Sequence, residues 1–473
     1  MSKRIIRADL KNTPVIISND NSRYTSQEIA NEMERIRRQL EGIGIEEKLV
    51  ALCMSDSITQ FVLSAYLWDA DNIIMYINSM NGKEYAEKII DNYQPNYIIF
   101  EKKAYEQSKY TENIKKADML ITGDQYVVCE YTEKKCEALQ NKKGCIFFTS
   151  GTTDVPKAVF RSEANMINDA ESNIVSFNIT SRDKLLVTVP FGHVYGLGSG
   201  ILPFAMKGAA IYFAPPFITG RGLKRIIENE KITAMISSPA VYQELCQEDI
   251  DIKECRLLLS AGSKLSSRLA VDFYQKYGKI INNMYGSSET GAIATLYEME
   301  DTDNTNCGRA MHSITVFCDG TEENVGVIKV KSDSLAEGIL SDGALIPLVD
   351  SEGWLEMNDM GYIDCRGCIH LICRKTDMIN IGGEKLSPRT IEKVAEEYCE
   401  QALVLTQSSD EGVVYPILFV ENLRIEFSDL KKKLKERLSY KFMPKKILVY
   451  DKFPRNANGK VDRNKLKEEM DGE

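Results

Sequence analysis

Apolar residues first recur at helical spacing between Ile29 and Leu40, where Ile29, Met33, Ile36 and Leu40 share one face. Thr25 and Glu28 form a capping box ahead of that face, and Tyr24 with Ile29 forms the hydrophobic staple, so a helix is predicted to start there. Gly42 and Gly44 predict its end. The period then changes. Short unbroken apolar runs stand at 49–53, 73–77, 97–100, 145–148, 185–189, 234–236 and 257–259, separated by helical patterns. Continuous rather than alternating strands between helices predict largely parallel sheets covered on both faces, an α/β fold.

The pattern changes again near residue 375. From Met378 a short strand, a turn at Gly382-Gly383 and a helix opened by Ser387, with Pro388 at its first position and Ile391 and Val394 facing inward, are predicted. Strands at 402–406 and 413–420 follow, then a basic helix from Ser428 carrying Lys431, Lys432, Lys433, Lys435 and Arg437. A large domain of mainly parallel β/α subdomains over 1–374 and a small α+β domain over 375–473 are therefore expected. At 473 residues the chain is too long for one ordinary core.

Composition narrows the function classes. With 59 Lys and Arg against 69 Asp and Glu the net charge is -10, which argues against a nucleic-acid-coating surface and requires any anionic ligand to be held locally. No apolar stretch approaches a membrane span, and the N-terminal residues lack the apolar core of a signal peptide. Twelve Cys without framework spacing suit reduced thiols, so a cytoplasmic protein is expected. Cys365, Cys368, His370 and Cys373 have no second Cys/His pair at zinc-site distance. They read better as a turn at Arg366-Gly367 followed by a strand over 369–372 with cysteines as small apolar fillers.

Candidate chemistry begins at 146–157, Ile-Phe-Phe-Thr-Ser-Gly-Thr-Thr-Asp-Val-Pro-Lys. A strand runs into a loop where Thr149, Ser150, Thr152 and Thr153 offer hydroxyls, Gly151 lets backbone amides converge, and Lys157 adds a cation after Pro156. The segment suits polyphosphate, and equally a Ser/Thr-rich turn, because the Walker spacing is absent.

Three further stretches decide between those readings. Asn283-Met284-Tyr285-Gly286-Ser287-Ser288-Glu289-Thr290, then Asn358-Asp359-Met360-Gly361-Tyr362-Ile363-Asp364 leading to Arg374, then Pro454-Arg455-Asn456-Ala457-Asn458-Gly459-Lys460 follow the loop in order. Together the four resemble the motifs of the class I adenylate-forming superfamily, which holds acyl-CoA synthetases, peptide-synthetase adenylation domains and luciferases. The resemblance spans nearly the whole chain and implies a mobile C-terminal lid. It implies an ATP-dependent ligase that joins a small carboxylic acid to AMP with release of pyrophosphate, then passes the acyl group to the thiol of CoA or of phosphopantetheine on a separate carrier protein.

The same resemblance assigns residues. Thr149, Ser150, Gly151, Thr152, Thr153 and Lys157 become the phosphate loop, and Gly262, Ser263, Tyr285, Gly286 and Ser288 border adenine and the acyl group. Glu289 becomes the Mg²⁺ ligand, a hard oxygen suited to a phosphate-bound cation. Asp359 takes both ribose hydroxyls, as an acceptor-only carboxylate can, and Arg374 holds the same sugar. Lys460 stabilises charge on the transferring phosphoryl group. His193 and Gly196 line the acyl pocket, and Gly382 and Gly383 admit the pantetheine arm.

Several positions depart from the family pattern. Asp154 replaces the usual Gly of the phosphate loop, which would put a carboxylate beside the phosphates and lower ATP affinity. Cys373 stands before Arg374 where Gly is usual, and Thr376 stands at the hinge. Their alternative implication is a catalytically impaired AMP- or acyl-adenylate-binding protein. The Asp that pairs with an amino-acid ammonium is missing from Phe191-Gly192-His193, and 196–202 is small and apolar, so a fatty or aryl acid is expected.

Overall fold

The structure, a computed structural model, describes residues 14–17, 23–112, 115–132, 136–149, 155–215, 218–263, 265–296, 305–322, 324–375, 378–381, 384–386, 388–408, 414–455 and 461–471. These fall into two compact units, 1–315 with 330–355 and 316–329 with 356–473.

In the first unit the apolar runs form strands that pair as their continuous burial requires. Leu49–Met54 is buried at every position and lies parallel to Ile73–Asn78 and Tyr97–Glu101; Ile73–Asn78 continues in parallel to Gly144–Thr149. The sheet turns antiparallel at its flanks, where Tyr97–Glu101 meets Asp124–Glu130 and Gly144–Thr149 meets Lys157–Ser162. A second sheet has parallel Ala210–Phe213, Lys184–Val187, Ala234–Ser237, Leu257–Ser260 and Asn282–Ser287, then antiparallel Gly291–Thr295.

The core sits between these two sheets. Leu52, Tyr76 and Phe147 from one and Leu185, Ile236 and Leu259 from the other join a single apolar cluster with the helices Ser57–Asp69 and Glu163–Phe177. Eleven of the thirteen residues of Ser57–Asp69 are buried, which is why that helix is apolar all round. The outer face of the first sheet is covered by Lys83–Tyr93. Gly220–Glu230, Pro239–Gln247 and Ser267–Tyr277 cover the outer face of the second. Helix and sheet layers therefore alternate, with every parallel strand covered on both faces.

The first predicted helix is Ser26–Gln39, and its capping box is formed: Glu28 N donates to Thr25 Oγ1 at 3.2 Å while Thr25 N donates to Glu28 Oε2 at 2.7 Å. Gly42 and Gly44 follow it with φ of 80° and 78°, in the left-handed region where Gly carries no Cβ penalty.

In the second unit, Gln401–Ser408, Val414–Glu421 and Lys446–Tyr450 form a three-stranded sheet. Pro388–Glu396 and Phe427–Arg437 share one apolar cluster with it, and Leu466 and Met470 of Arg463–Asp471 share another. The same unit holds the antiparallel pair Leu355–Ile363 and Cys368–Arg374 from residue 356 onward. Cys365 is exposed and Cys368 buried, while His370 stacks on Tyr362 at 4.5 Å and lies 3.4 Å from Asp364.

Candidate active site

Parallel strands present ligands at their C-terminal ends. The expected phosphate loop leaves the strand Gly144–Thr149 at such an end and returns as Lys157–Ser162, with Thr149 opposite Lys157. Thr149 is half-buried and Lys157 exposed. The return is anchored, because Tyr93 OH donates to the Pro156 carbonyl at 2.7 Å. Ser150, Gly151, Thr152, Thr153 and Asp154 lie outside the described residues.

At the next strand end, Ser260 closes Leu257–Ser260 and Gly262 takes φ +87° with open space around it, followed by half-buried Ser263. A side chain at Gly262 would be strained, so the backbone stays bare where a flat ligand would approach.

The strands Asn282–Ser287 and Gly291–Thr295 are joined by the turn that carries Glu289. Tyr285 is nearly buried, and Gly286 has no room for a Cβ because the Gly291 carbonyl occupies that place. Within the turn Ser287 N donates to Thr290 Oγ1 at 3.0 Å, and Glu289 N donates to Ser287 Oγ at 3.2 Å. Ala336 N donates to the Glu289 carbonyl at 2.8 Å. Ser288 and Glu289 are both half-buried. The backbone around Glu289 is thus tied while its carboxylate is directed into a partly open place.

The segment Phe191-Gly192-His193 lies against Tyr76, where a Cβ on Gly192 would come within 2.6 Å of the tyrosine Cβ. Tyr195–Ile201 forms a wide helical turn that continues into Leu202–Lys207. His193 starts it: Tyr195 N donates to His193 Nδ1 at 3.2 Å and Leu197 N to the His193 carbonyl at 2.8 Å. That contact makes Nδ1 an acceptor and so leaves Nε2 as the protonated nitrogen of a neutral ring. Gly196 faces the Pro190 carbonyl, Gly198 the Asp169 carboxylate, and Gly200 the Ile236 side chain, each too close for a Cβ. Tyr195 OH donates to the Ser237 carbonyl at 3.1 Å, and burial holds its ionisation well above the ordinary range.

In the second unit Asp359 and Arg374 are direct cross-strand neighbours, with Arg374 Nε 3.8 Å from Asp359 Oδ1. The guanidinium is 65% exposed and the carboxylate 23%. They line a pocket of about 180 Å³ together with Arg389, Glu392 and Arg463. Cys373 Sγ stands 3.2 Å from Met378 Sδ.

Gly382 and Gly383 lie outside the described residues, between the strands Ile379–Ile381 and Glu384–Leu386, which pair antiparallel with Ile381 opposite Glu384. Thr376 and Lys460 also lie outside them. Ahead of 456–460, Arg455 Nη2 holds the buried Glu421 Oε2 at 3.1 Å and the Arg455 backbone forms an antiparallel β-bridge with Val461, while Asp462 N donates to the Pro454 carbonyl at 2.7 Å.

Magnesium suits the Glu289 carboxylate, a hard oxygen donor on a half-buried residue. No three His, Cys, Asp or Glu residues gather into a metal cage among the described residues. A cation that keeps its waters and takes one protein carboxylate plus substrate phosphates needs no such cage.

Sequence reasoning passed over one pair beneath this site. Arg161 and Asp169 are fully buried, 3.2 Å apart, next to the Glu289 turn. A signal was present: Arg161 interrupts an apolar strand, and Asp169 falls on the helix face of Met166, Ala170, Asn173 and Phe177.

The AMP-binding enzyme family matches residues 7–340, and the chain belongs to it and, with it, to the class I adenylate-forming superfamily. It is 25% identical to 2-succinylbenzoate–CoA ligase of Listeria monocytogenes over 99% of this chain and 98% of that one. It is 26% identical to indoleacetate–CoA ligase of Aromatoleum aromaticum over 68% and 66%. Among solved structures, ATP-bound MatB from Rhodopseudomonas palustris aligns with TM-score 0.83 at 18% identity, covering 99% of each chain. The o-succinylbenzoate CoA synthetase of Bacillus subtilis with its acyl-adenylate intermediate aligns with TM-score 0.80 at 21% identity, covering 98% and 97%. The chain is an ATP-dependent, AMP-forming acid–thiol ligase.

Proposed function

We propose that the acid is compact and ring-bearing, an aryl or arylalkanoic acid rather than a long fatty acid, and that free CoA rather than a carrier protein receives it. The observation that carries this is the tight packing of Tyr195–Ile201, whose three glycines each lie against a neighbouring group with no room for a Cβ, which favours a compact acid. The 2-succinylbenzoate and indoleacetate ligases also act on ring-bearing acids and CoA by name, which supports the same choice.

In this reading Thr149 to Lys157 hold the polyphosphate and Asp359 accepts both ribose hydroxyls, with Arg374 beside it. Gly262, Ser263, Tyr285, Gly286 and Ser288 border the adenylate. Glu289 would hold Mg²⁺, which when bound neutralises phosphate charge. The acid carboxylate attacks the α-phosphorus of ATP, the bond to the bridging oxygen breaks, and pyrophosphate departs; Lys460 stabilises the charge that develops. The thiolate of CoA then attacks the acyl carbon past Gly382 and Gly383 and displaces AMP. His193 orders the wall of the acid pocket through its Nδ1 contact. Residues 375–473 act as the mobile lid on the 1–374 body. Twelve cysteines without framework spacing support a cytoplasmic, reducing location.

The test is acid-dependent exchange of labelled pyrophosphate into ATP over aryl, arylalkanoic and C12 to C16 fatty acids, followed by thioester formation with CoA and with a carrier protein. Exchange with ring-bearing acids and transfer to CoA are expected; exchange confined to fatty acids would overturn the substrate class. Lys460→Ala should suppress exchange while leaving thioester formation from supplied acyl adenylate. Gly383→Trp should do the reverse.

A further inference from the structure

We propose that the buried Arg161–Asp169 pair is a positioning device for the Glu289 turn and thereby sets the affinity for the divalent cation that accompanies ATP. The proposal rests on the reading of Glu289 as that cation's ligand.

The turn is held from two sides, and Arg161 joins the two holds. On one side Ser334 Oγ donates to the Thr290 carbonyl at 3.2 Å and Ala336 N donates to the Glu289 carbonyl at 2.8 Å. On the other, Ala292 N donates to Asp169 Oδ1 at 3.3 Å, and Gly291, at φ +72°, lies so close to the same carboxylate that a Cβ would collide with it. Arg161 Nη2 donates to the Ser334 carbonyl at 2.8 Å and lies 3.2 Å from Asp169 Oδ2. One guanidinium therefore fixes the spacing between the segment that grips residues 289 and 290 and the carboxylate that grips residue 292. Arg161 also belongs to the strand that begins at Lys157, so the same contacts reference the turn to the exit of the phosphate loop.

Stability alone is a poor account of the pair. Both side chains are inaccessible to solvent, and Arg161 Nε and Nη1 have no hydrogen-bond partner. Burial opposes both charges, pushing the Asp169 carboxyl up and the guanidinium down. Apolar residues of similar size in such a place often give an equally or more stable protein. What they would lack is the directional hold on two sides of one turn. Partners that orient a metal-binding carboxylate typically change metal affinity or activity by 10- to 100-fold when removed.

Mn²⁺ serves as the probe, its binding to enzyme with a non-hydrolysable ATP analogue followed by electron paramagnetic resonance. Glu289→Gln and the double variant Arg161→Met with Asp169→Asn, which avoids an unpaired buried carboxylate, are each expected to weaken Mn²⁺ about 10-fold or more. Arg161→Lys should recover most of the loss. In the exchange assay, half-saturating Mg²⁺ should rise in the double variant, with half-saturating acid changed by less than about two-fold. A folded double variant that binds Mn²⁺ within about two-fold of the parent, while Glu289→Gln weakens it, overturns the positioning role. If Glu289→Gln leaves Mn²⁺ binding unchanged, Glu289 is not the ligand, and the underlying reading falls with the proposal. Should the double variant fail to fold, Ser334→Ala removes the hydroxyl on the Thr290 carbonyl together with its 3.0 Å contact to Ser332 Oγ: a loss of about three-fold is expected, and none would overturn the proposal.

Discussion

Arg161–Asp169 and Arg374–Asp359 are the same two residue types facing each other from neighbouring segments, yet their surroundings give them opposite uses. The first pair has no exposed surface and spends its contacts on protein backbone. The second stands 3.8 Å apart with the guanidinium 65% exposed, so the contact stabilises the protein little. A third pair, Arg256–Asp183, falls between them: the carboxylate is 4% exposed, the guanidinium 40%, and the contact is bidentate at 2.8 and 2.7 Å. Burial, not residue identity, separates framework from binding surface.

The contrast breaks most visibly at its buried end. Asp169→Ala is expected to lower stability by about 3 to 5 kcal/mol, because Arg161 would be left charged and unpaired in the interior. Urea unfolding measures it, and a loss below about 1 kcal/mol would remove the distinction from a surface pair. At the exposed end Asp359→Ala should behave oppositely. Half-saturating ATP is expected to rise about 100-fold, as two hydrogen bonds to a charged acceptor are lost, while the unfolding midpoint stays near that of the parent.

The intermediate pair sharpens the comparison through pH. Burial pushes the Asp183 carboxyl up, but Arg256, the Thr180 backbone and Thr233 outweigh it and hold the group below its ordinary value. A carboxyl lowered on folding contributes in full above its unfolded pKa and loses that contribution as pH falls through the folded value. Asp183→Asn is therefore expected to cost about 2 kcal/mol at neutral pH and progressively less in acid. Equal losses at neutral and acidic pH would show that the charge is not what matters. The smallest effect belongs to a local contact: Thr25→Ala should cost about 1 kcal/mol through loss of the helix cap, with catalysis unchanged.

Legibility from sequence followed the range of the interaction. The helix Ser26–Gln39 was readable because its cap, staple and apolar face all lie within a few residues. The parallel strands were readable because burial on both faces leaves an unbroken apolar run such as Leu-Val-Ala-Leu-Cys-Met. Asp359 and Arg374 were nominated from motif order, and their cross-strand register places them side by side. Gly196 was nominated as pocket lining; its close approach to the Pro190 carbonyl adds why only Gly fits there. The antiparallel flanks of the sheets were not anticipated, since pairing partners are chosen by contacts distant in the chain.

By itself the sequence determined the alternation of strands and helices, the capped first helix, the order of the adenylate-forming motifs and hence the reaction class, all written in local patterns of polarity and residue type. Only the tertiary structure decided which charges are buried and which are exposed. Arg161, Asp169, Ser334 and Ala292 lie far apart in sequence, and no local pattern states that they meet around one turn. Their meeting follows from packing the helix Glu163–Phe177 between two sheets, which removes water from the Arg161–Asp169 pair.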